Sequence, residues 1–183
     1  MSHKDIFEGE DLMKTEESEN NLGDIITNSG KNYQNIKARQ NRGRGIRKDL
    51  LASLVEIFAG GQNHELGVTL RKGMLISSLL TNCESWYNFT IANIVALEKV
   101  DEQMLGGILN GPLMCPRALL YLEPWCLPIR FIIKSRMLIF LHYIMSQSEE
   151  SLMKIFFNSQ QENSTKTDWT YQVKIDLQEL KIK

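Results

Sequence analysis

A chain of 183 residues, 43% of them hydrophobic, carries enough apolar material for one folded domain with a tail, which excludes wholesale disorder. Its formal net charge of −1 conceals two opposed blocks. Residues 1–24 hold Asp5, Glu8, Glu10, Asp11, Glu16, Glu17, Glu19 and Asp24 against Lys4 and Lys14, and the stretch that follows is basic, so the blocks say more about partners than the total does.

Residues 1–21 lack periodicity and are expected to form a disordered acidic leader. Leu22–Thr27 reads as a short strand, because Ile25 and Ile26 are β-branched and Asn28-Ser29-Gly30 is a turn signal. A lone strand has nothing to pair with, so its neighbouring sheet is expected to lie outside the chain. Residues 22–48 are thus expected to be a strand and a basic linker, and residues 49–183 a helical bundle.

From Ile46 onward the pattern is helical. Ile46, Leu50, Leu51, Leu54, Val55 and Phe58 form a stripe that ends at Gly60-Gly61. Leu66, Leu70, Met74 and Leu75 mark the next helix. Thr90 is placed to cap a third, with Ile94, Leu97, Met104, Leu105 and Ile108 as its core face. Gly106-Gly107 costs that helix about 1 kcal/mol per glycine relative to alanine, so a kink or early end is expected there. Pro116–Leu122 is a short helix with proline near its first turn.

Pro128–Met145 is dense in Ile, Leu, Phe and Met but contains Arg130, Lys134, Arg136 and His142. A membrane span needs about 20 largely uncharged residues, so a core helix with a basic stripe is the better reading. Ser148 or Ser151 caps a further helix through Phe157, Asn158–Thr167 is a polar loop, and Thr167 or Asp168 caps the last helix, with Trp169, Val173, Leu177 and Leu180 as its stripe. The fold class is mainly α, an irregular bundle of six or seven helices with one short N-terminal strand.

The chemistry-bearing residues are sparse. Cys83, Cys115 and Cys126 form no CxxC pair, and no histidine falls near them at zinc-ligand spacing, so they read as reduced structural thiols of an intracellular protein, nuclear or cytoplasmic. The N-terminus is polar and acidic, unlike a signal peptide. Glu98, Asp101 and Glu102 cluster on one helix, where a solvated face is expected rather than a metal site. No nucleophile–base pair, phosphate loop or metalloprotease motif is present, so no catalytic residue, metal or cofactor is assigned, and an enzyme acting alone is not expected.

The basic stretch offers the clearest chemistry. Lys31, Lys37, Arg39, Arg42, Arg44, Arg47 and Lys48 occur with no acidic residue among them, interleaved with Asn, Gln and Gly. One reading is a solvated, flexible linker. The other is contact with a phosphate backbone through Lys37, Arg39, Arg42, Arg44, Arg47 and Lys48, with glycines letting the main chain approach closely. Tyr33 could stack on a base. Trp86 and Tyr87 fit a core corner better than a stacking platform.

The phrases LGDIITNSGKNYQNIKAR, MLISSLLTNCESWYN, LEKVDEQML, ALLYLEPWCLPIRFIIKSRMLIFLHYIM and DWTYQVKIDLQEL run in order from Leu22 to near the C-terminus. Together they resemble the C-terminal part of reverse transcriptases from LINE-type (non-LTR) retrotransposons. The resemblance implies that the LGD strand closes a polymerase palm and that the helices after it form the thumb and a C-terminal extension. It places Lys37, Arg39, Arg42 and Arg44 in the palm-to-thumb passage beside the template–primer backbone. Lys134 and Arg136 would lie on a later helix with an RNA-binding role. The palm's aromatic-Ala-Asp-Asp motif occurs nowhere in the chain. Asn21, Gly106-Gly107 and Pro124-Trp125 also depart from the family pattern, as drift in a decayed copy would produce. The implied function is a truncated polymerase fragment that binds RNA or an RNA–DNA duplex non-specifically. The alternatives are a helical protein-interaction module, an inert translated remnant, or a piece that docks onto a separate palm.

Overall fold

The computed structural model describes residues 33–57, 63–86, 90–112, 115–162, 165 and 168–179, together with the backbone of four short strands. The strands β1 (Ile6–Glu8), β2 (Asp11–Met13), β3 (Ser18–Asn21) and β4 (Asp24–Thr27) pair as two antiparallel hairpins, β1 with β2 and β3 with β4. The strand expected at residues 22–27 therefore finds its partner inside the chain, with Asn20 opposite Ile25, rather than in a missing sheet. Most of the leader expected to be disordered lies outside the described residues.

The helices are α1 (Tyr33–Ile57), α2 (His64–Leu70), α3 (Ser77–Leu79), α4 (Ile91–Ile108), α5 (Arg117–Leu122), α6 (Ile129–Met145), α7 (Leu152–Glu162) and α8 (Trp169–Glu179). A π-helical turn, Arg71–Ile76, joins α2 to α3 in one continuous run, giving seven helical rods among the described residues. The main core gathers Ile36 and Leu50 of α1, Leu75, Ile76 and Leu79 of the second run, Leu97, Val100, Met104 and Ile108 of α4, and Ile129, Ile133 and Met137 of α6. Trp169 and Val173 of α8 close it from the C-terminal end. The indole N–H of Trp169 donates to the Glu84 carbonyl at 2.7 Å, and its ring meets Phe140 and Phe157 edge-on.

Several boundaries follow the sequence signals. The Thr90 hydroxyl accepts from the Asn93 N–H, capping α4 as expected. Gly106-Gly107 does not break that helix. A Cβ on Gly107 would come within 2.6 Å of Leu51 Cδ1, so its bare backbone is what α1 packs against. The helix ends past Ile108 with Asn110 at φ 50° and paired bonds from Gly111 N–H to Gly106 O and from Asn110 N–H to Gly107 O. Helix α7 continues to Glu162, into the stretch expected to be loop. Val55 and Met74 point outward instead of joining the core. Phe58, Gly60-Gly61, Tyr87, Thr167 and Leu180 lie outside the described residues.

The largest departure is α1. The stretch expected to be a linker up to residue 48 is helical from Tyr33, and the helix runs through the 48/49 boundary without a break. Its support is tertiary: Gly43 sits where a Cβ would meet Leu79 Cδ2 at 2.6 Å and Val100 Cγ1 at 3.3 Å. The glycines that suggested close backbone approach to a phosphate include one that permits close approach of two helices.

Candidate nucleic-acid interface

At 100° per residue, α1 divides into two faces. Ile36, Arg39, Gly43 and Leu50 are buried, with Ile46, Leu51 and Leu54 packed beside them. Tyr33, Lys37, Asn41, Arg44 and Lys48 recur at spacings of three and four on the opposite face, and all are exposed. This row spans about 22 Å at 1.5 Å per residue. Lys37 Nζ sits 6.0 Å from the centre of the Tyr33 ring, and Arg44 Nη1 reaches Asn41 Oδ1 at 3.5 Å. These short-range contacts along the helix leave the charges facing solvent. Arg42 is also exposed, but about 140° round the helix from the centre of the row.

The six residues singled out from the sequence do not act alike. Arg39 is 1% exposed, which removes it from any phosphate surface. Its Nε donates to Asn35 Oδ1 at 3.1 Å, its Nη1 donates to the Ser78 and Leu79 carbonyls, and its guanidinium lies 4.9 Å from the centre of the Trp86 ring. Together with Arg136, whose Nη1 donates to the Leu80 carbonyl at 2.8 Å, it satisfies the bare carbonyls where the run through α3 ends. Trp86 is correspondingly buried, a core corner rather than a stacking platform. Arg47 is half-buried, and its Nε makes no hydrogen bond among the described residues. Lys37, Arg42, Arg44 and Lys48 remain outward-facing. None of the ion pairs among the described residues involves them.

Four cations, Arg71, Arg117, Arg130 and Lys134, are neutralised internally, whereas Lys72, Lys99 and Lys174 are exposed. Arg71 grips Asp101 through Nε and Nη2, both at 2.6 Å, and the Tyr121 hydroxyl donates to the same carboxylate at 3.2 Å. Arg130 grips Glu98 through Nε at 2.7 Å and Nη2 at 2.6 Å, while Arg117 bridges Glu98 at 3.0 Å and also holds Glu102. Lys134, expected on an RNA-facing stripe of α6, pairs with Asp176 at 3.0 Å and with Glu179.

The carboxylates of α4 are therefore not a solvated face. Glu98 and Asp101 are both fully buried. Burial pushes the Glu98 carboxyl up, but the paired hydrogen bonds and charge of Arg130, with Arg117 beside it, outweigh burial and hold it below the usual carboxylate range. The signal was present in the sequence: Ile94, Glu98, Asp101, Leu105 and Ile108 follow one another at i, i+4, i+7, i+11 and i+14, so the core stripe passes straight through both acids. Their matching arginines come from three other elements and could not be paired with them by spacing.

Among the described residues no three His, Cys, Asp or Glu side chains come together to hold a metal ion, and no helix is long and apolar enough to cross a membrane. All three cysteines are free, and burial pushes the Cys83 thiol up to about 11, as for an unreactive core thiol. No protein-family model, curated protein or solved structure matches the chain.

Proposed function

We propose that this chain is a helical module that holds RNA, or an RNA–DNA duplex, by its phosphate backbone without reading sequence, as a retroelement polymerase thumb separated from its palm would. The observation that carries this reading is the outward row of α1, where Lys37, Arg44 and Lys48 are exposed, with Arg42 exposed on the helix flank, while the arginines and lysines that line the bundle's inner charge network are matched by carboxylates. A rigid helix holds such charges at fixed intervals, so each phosphate met costs little ordering entropy. Arg39 drops out of the binding set for a structural place, and Arg47, half-buried, is not counted in it. The reading assigns no chemical step to the chain and an intracellular location, in keeping with its free cysteines.

The test is a salt titration of binding to a short RNA hairpin. Three or four phosphate contacts predict a log–log slope between about −2 and −4, from roughly 0.7–0.9 per contact. Arg44→Ala and Lys48→Ala should each make that slope shallower by about 1, equally for unrelated sequences. A slope near zero, or one that the double variant leaves unchanged, removes the proposal.

A further inference from the structure

Helix α6 is apolar on both sides. Ile129, Ile133, Met137 and Ile144 face the core, yet Phe131, Ile139 and Tyr143 on the other side are 52%, 65% and 50% exposed. Leu122 and Leu127 extend this outer stripe at one end and Met145 at the other, each more than half exposed. Leu122, Leu127 and Phe131 border one cleft of about 520 Å³ with Arg117 and Arg130 at its edge. At ~200 Å² per large side chain, the six leave roughly 650 Å² of open apolar surface, above the ~300–600 Å² usual for the largest patch of a monomer.

Three features favour one occupant, a second copy of this chain. First, the cations flanking the stripe are already matched, Arg130 by Glu98 and Lys134 by Asp176 and Glu179, so two such faces meet without like-charge repulsion. Second, Ser135 is the small residue at the middle of the stripe, with Phe131 four residues before it and Ile139 four after. A two-fold axis through Ser135 lets two α6 helices cross closely and antiparallel, laying Phe131 on Ile139 of the second copy and bringing Leu127 toward Tyr143. Such a face is complementary to itself. Third, adding Arg130, Ser135 and His142 brings the area to about 800 Å² per copy, the size of a standard stable interface. We propose that the chain forms a symmetric dimer through the outer face of α6.

Sedimentation of the full chain, nuclease-treated and in high salt, tests this independently of RNA binding, because α1 contributes nothing to the face. The expected result is a concentration-dependent rise from 21.1 kDa to twice that mass. Ile139→Glu, at an exposed position, should keep its helical circular dichroism and remain at the single-copy mass. Ser135→Cys should cross-link two copies under mild oxidation in much higher yield than the wild-type thiols do. A single 21.1 kDa species at every concentration, unimpaired dimerisation of Ile139→Glu, growth beyond two copies, or no cross-link through Ser135→Cys would each overturn the proposal.

Discussion

Gly43 and Gly45 stand two residues apart in α1, and replacing each with alanine should change stability in opposite directions. Alanine in a helix interior is worth about 1 kcal/mol over glycine. At Gly45 nothing lies within 4 Å of the new Cβ, so most of that gain is realised and Gly45→Ala should stabilise by roughly 0.5–1 kcal/mol. At Gly43 the Cβ would sit 2.6 Å from Leu79 Cδ2 and 3.3 Å from Val100 Cγ1, well inside the ~3.5–4.0 Å of an ordinary carbon contact. Leu79 and Val100 are 0% and 1% exposed, so neither can swing into solvent to make room. Overpacking of that kind costs about 1–3 kcal/mol, which exceeds the helical gain. Gly43→Ala should therefore destabilise by about 1 kcal/mol, leaving a gap of roughly 2 kcal/mol between the variants.

Urea unfolding followed by circular dichroism measures both, with a shift in midpoint and no change in slope as the expected form. In thermal melts the gap should separate the two midpoints by roughly 4–8 °C for a chain of this size. If the segment were a solvated linker, neither substitution would move the midpoint. Equal stabilisation by both would show that α1 forms but does not rest on α3 and α4. Either result refutes the packing described, and with it the division of α1 into a core face and an exposed basic face.

Two further outcomes concern the buried charges. Asp101→Asn leaves the Arg71 guanidinium enclosed without its counter-charge and should cost about 3–5 kcal/mol, measured by urea unfolding; a cost below ~1 kcal/mol would show that the pair is open to water. Glu98 is held below its ordinary range in the folded state, so its stabilisation is present above the unfolded value of about 4.3 and is lost as pH falls through the folded one. The stability difference between wild type and Glu98→Gln should accordingly shrink on acidification below about pH 4, and a difference that stays constant with pH would contradict that assignment.

The sequence revealed the helices whose inward positions are conventional. Leu97, Met104 and Ile108, the Thr90 cap, the proline-led α5 and the Trp169–Val173 stripe all obey the rule that apolar residues at helical spacing face inward. It concealed the first half of α1 and the α4 network for one shared reason. Ile36, Arg39, Gly43, Ile46 and Leu50 form a regular inward stripe only if an arginine and a glycine count as core residues, and α4 requires the same of Glu98 and Asp101. Whether a charge can be buried depends on partners distant in sequence. Arg39 needs the carbonyls of Ser78 and Leu79, and Glu98 needs Arg130; these pairings exist only once the chain has folded. Charge count marked the basic segment but could not tell which of its cations face outward.

The acidic leader bears on that availability. Residues 1–21 carry seven carboxylates against Lys4 and Lys14 and are tethered a dozen residues from the start of α1. Segments this near in sequence meet at an effective concentration on the order of millimolar, so under the proposed function leader carboxylates would compete with phosphate for Lys37, Arg44 and Lys48. Each solvated pair is worth only a few tenths of a kcal/mol. Changing Glu16, Glu17 and Glu19 together to glutamine should therefore remove about 1 kcal/mol of competition, raising RNA affinity about fivefold at low salt. The gain should vanish near 1 M salt, where the screening length falls to ~3 Å. Unchanged affinity would mean that the leader does not reach the row. A gain that persisted in high salt would trace instead to the β3–β4 hairpin, because a contact that salt does not weaken is not held by exposed charge.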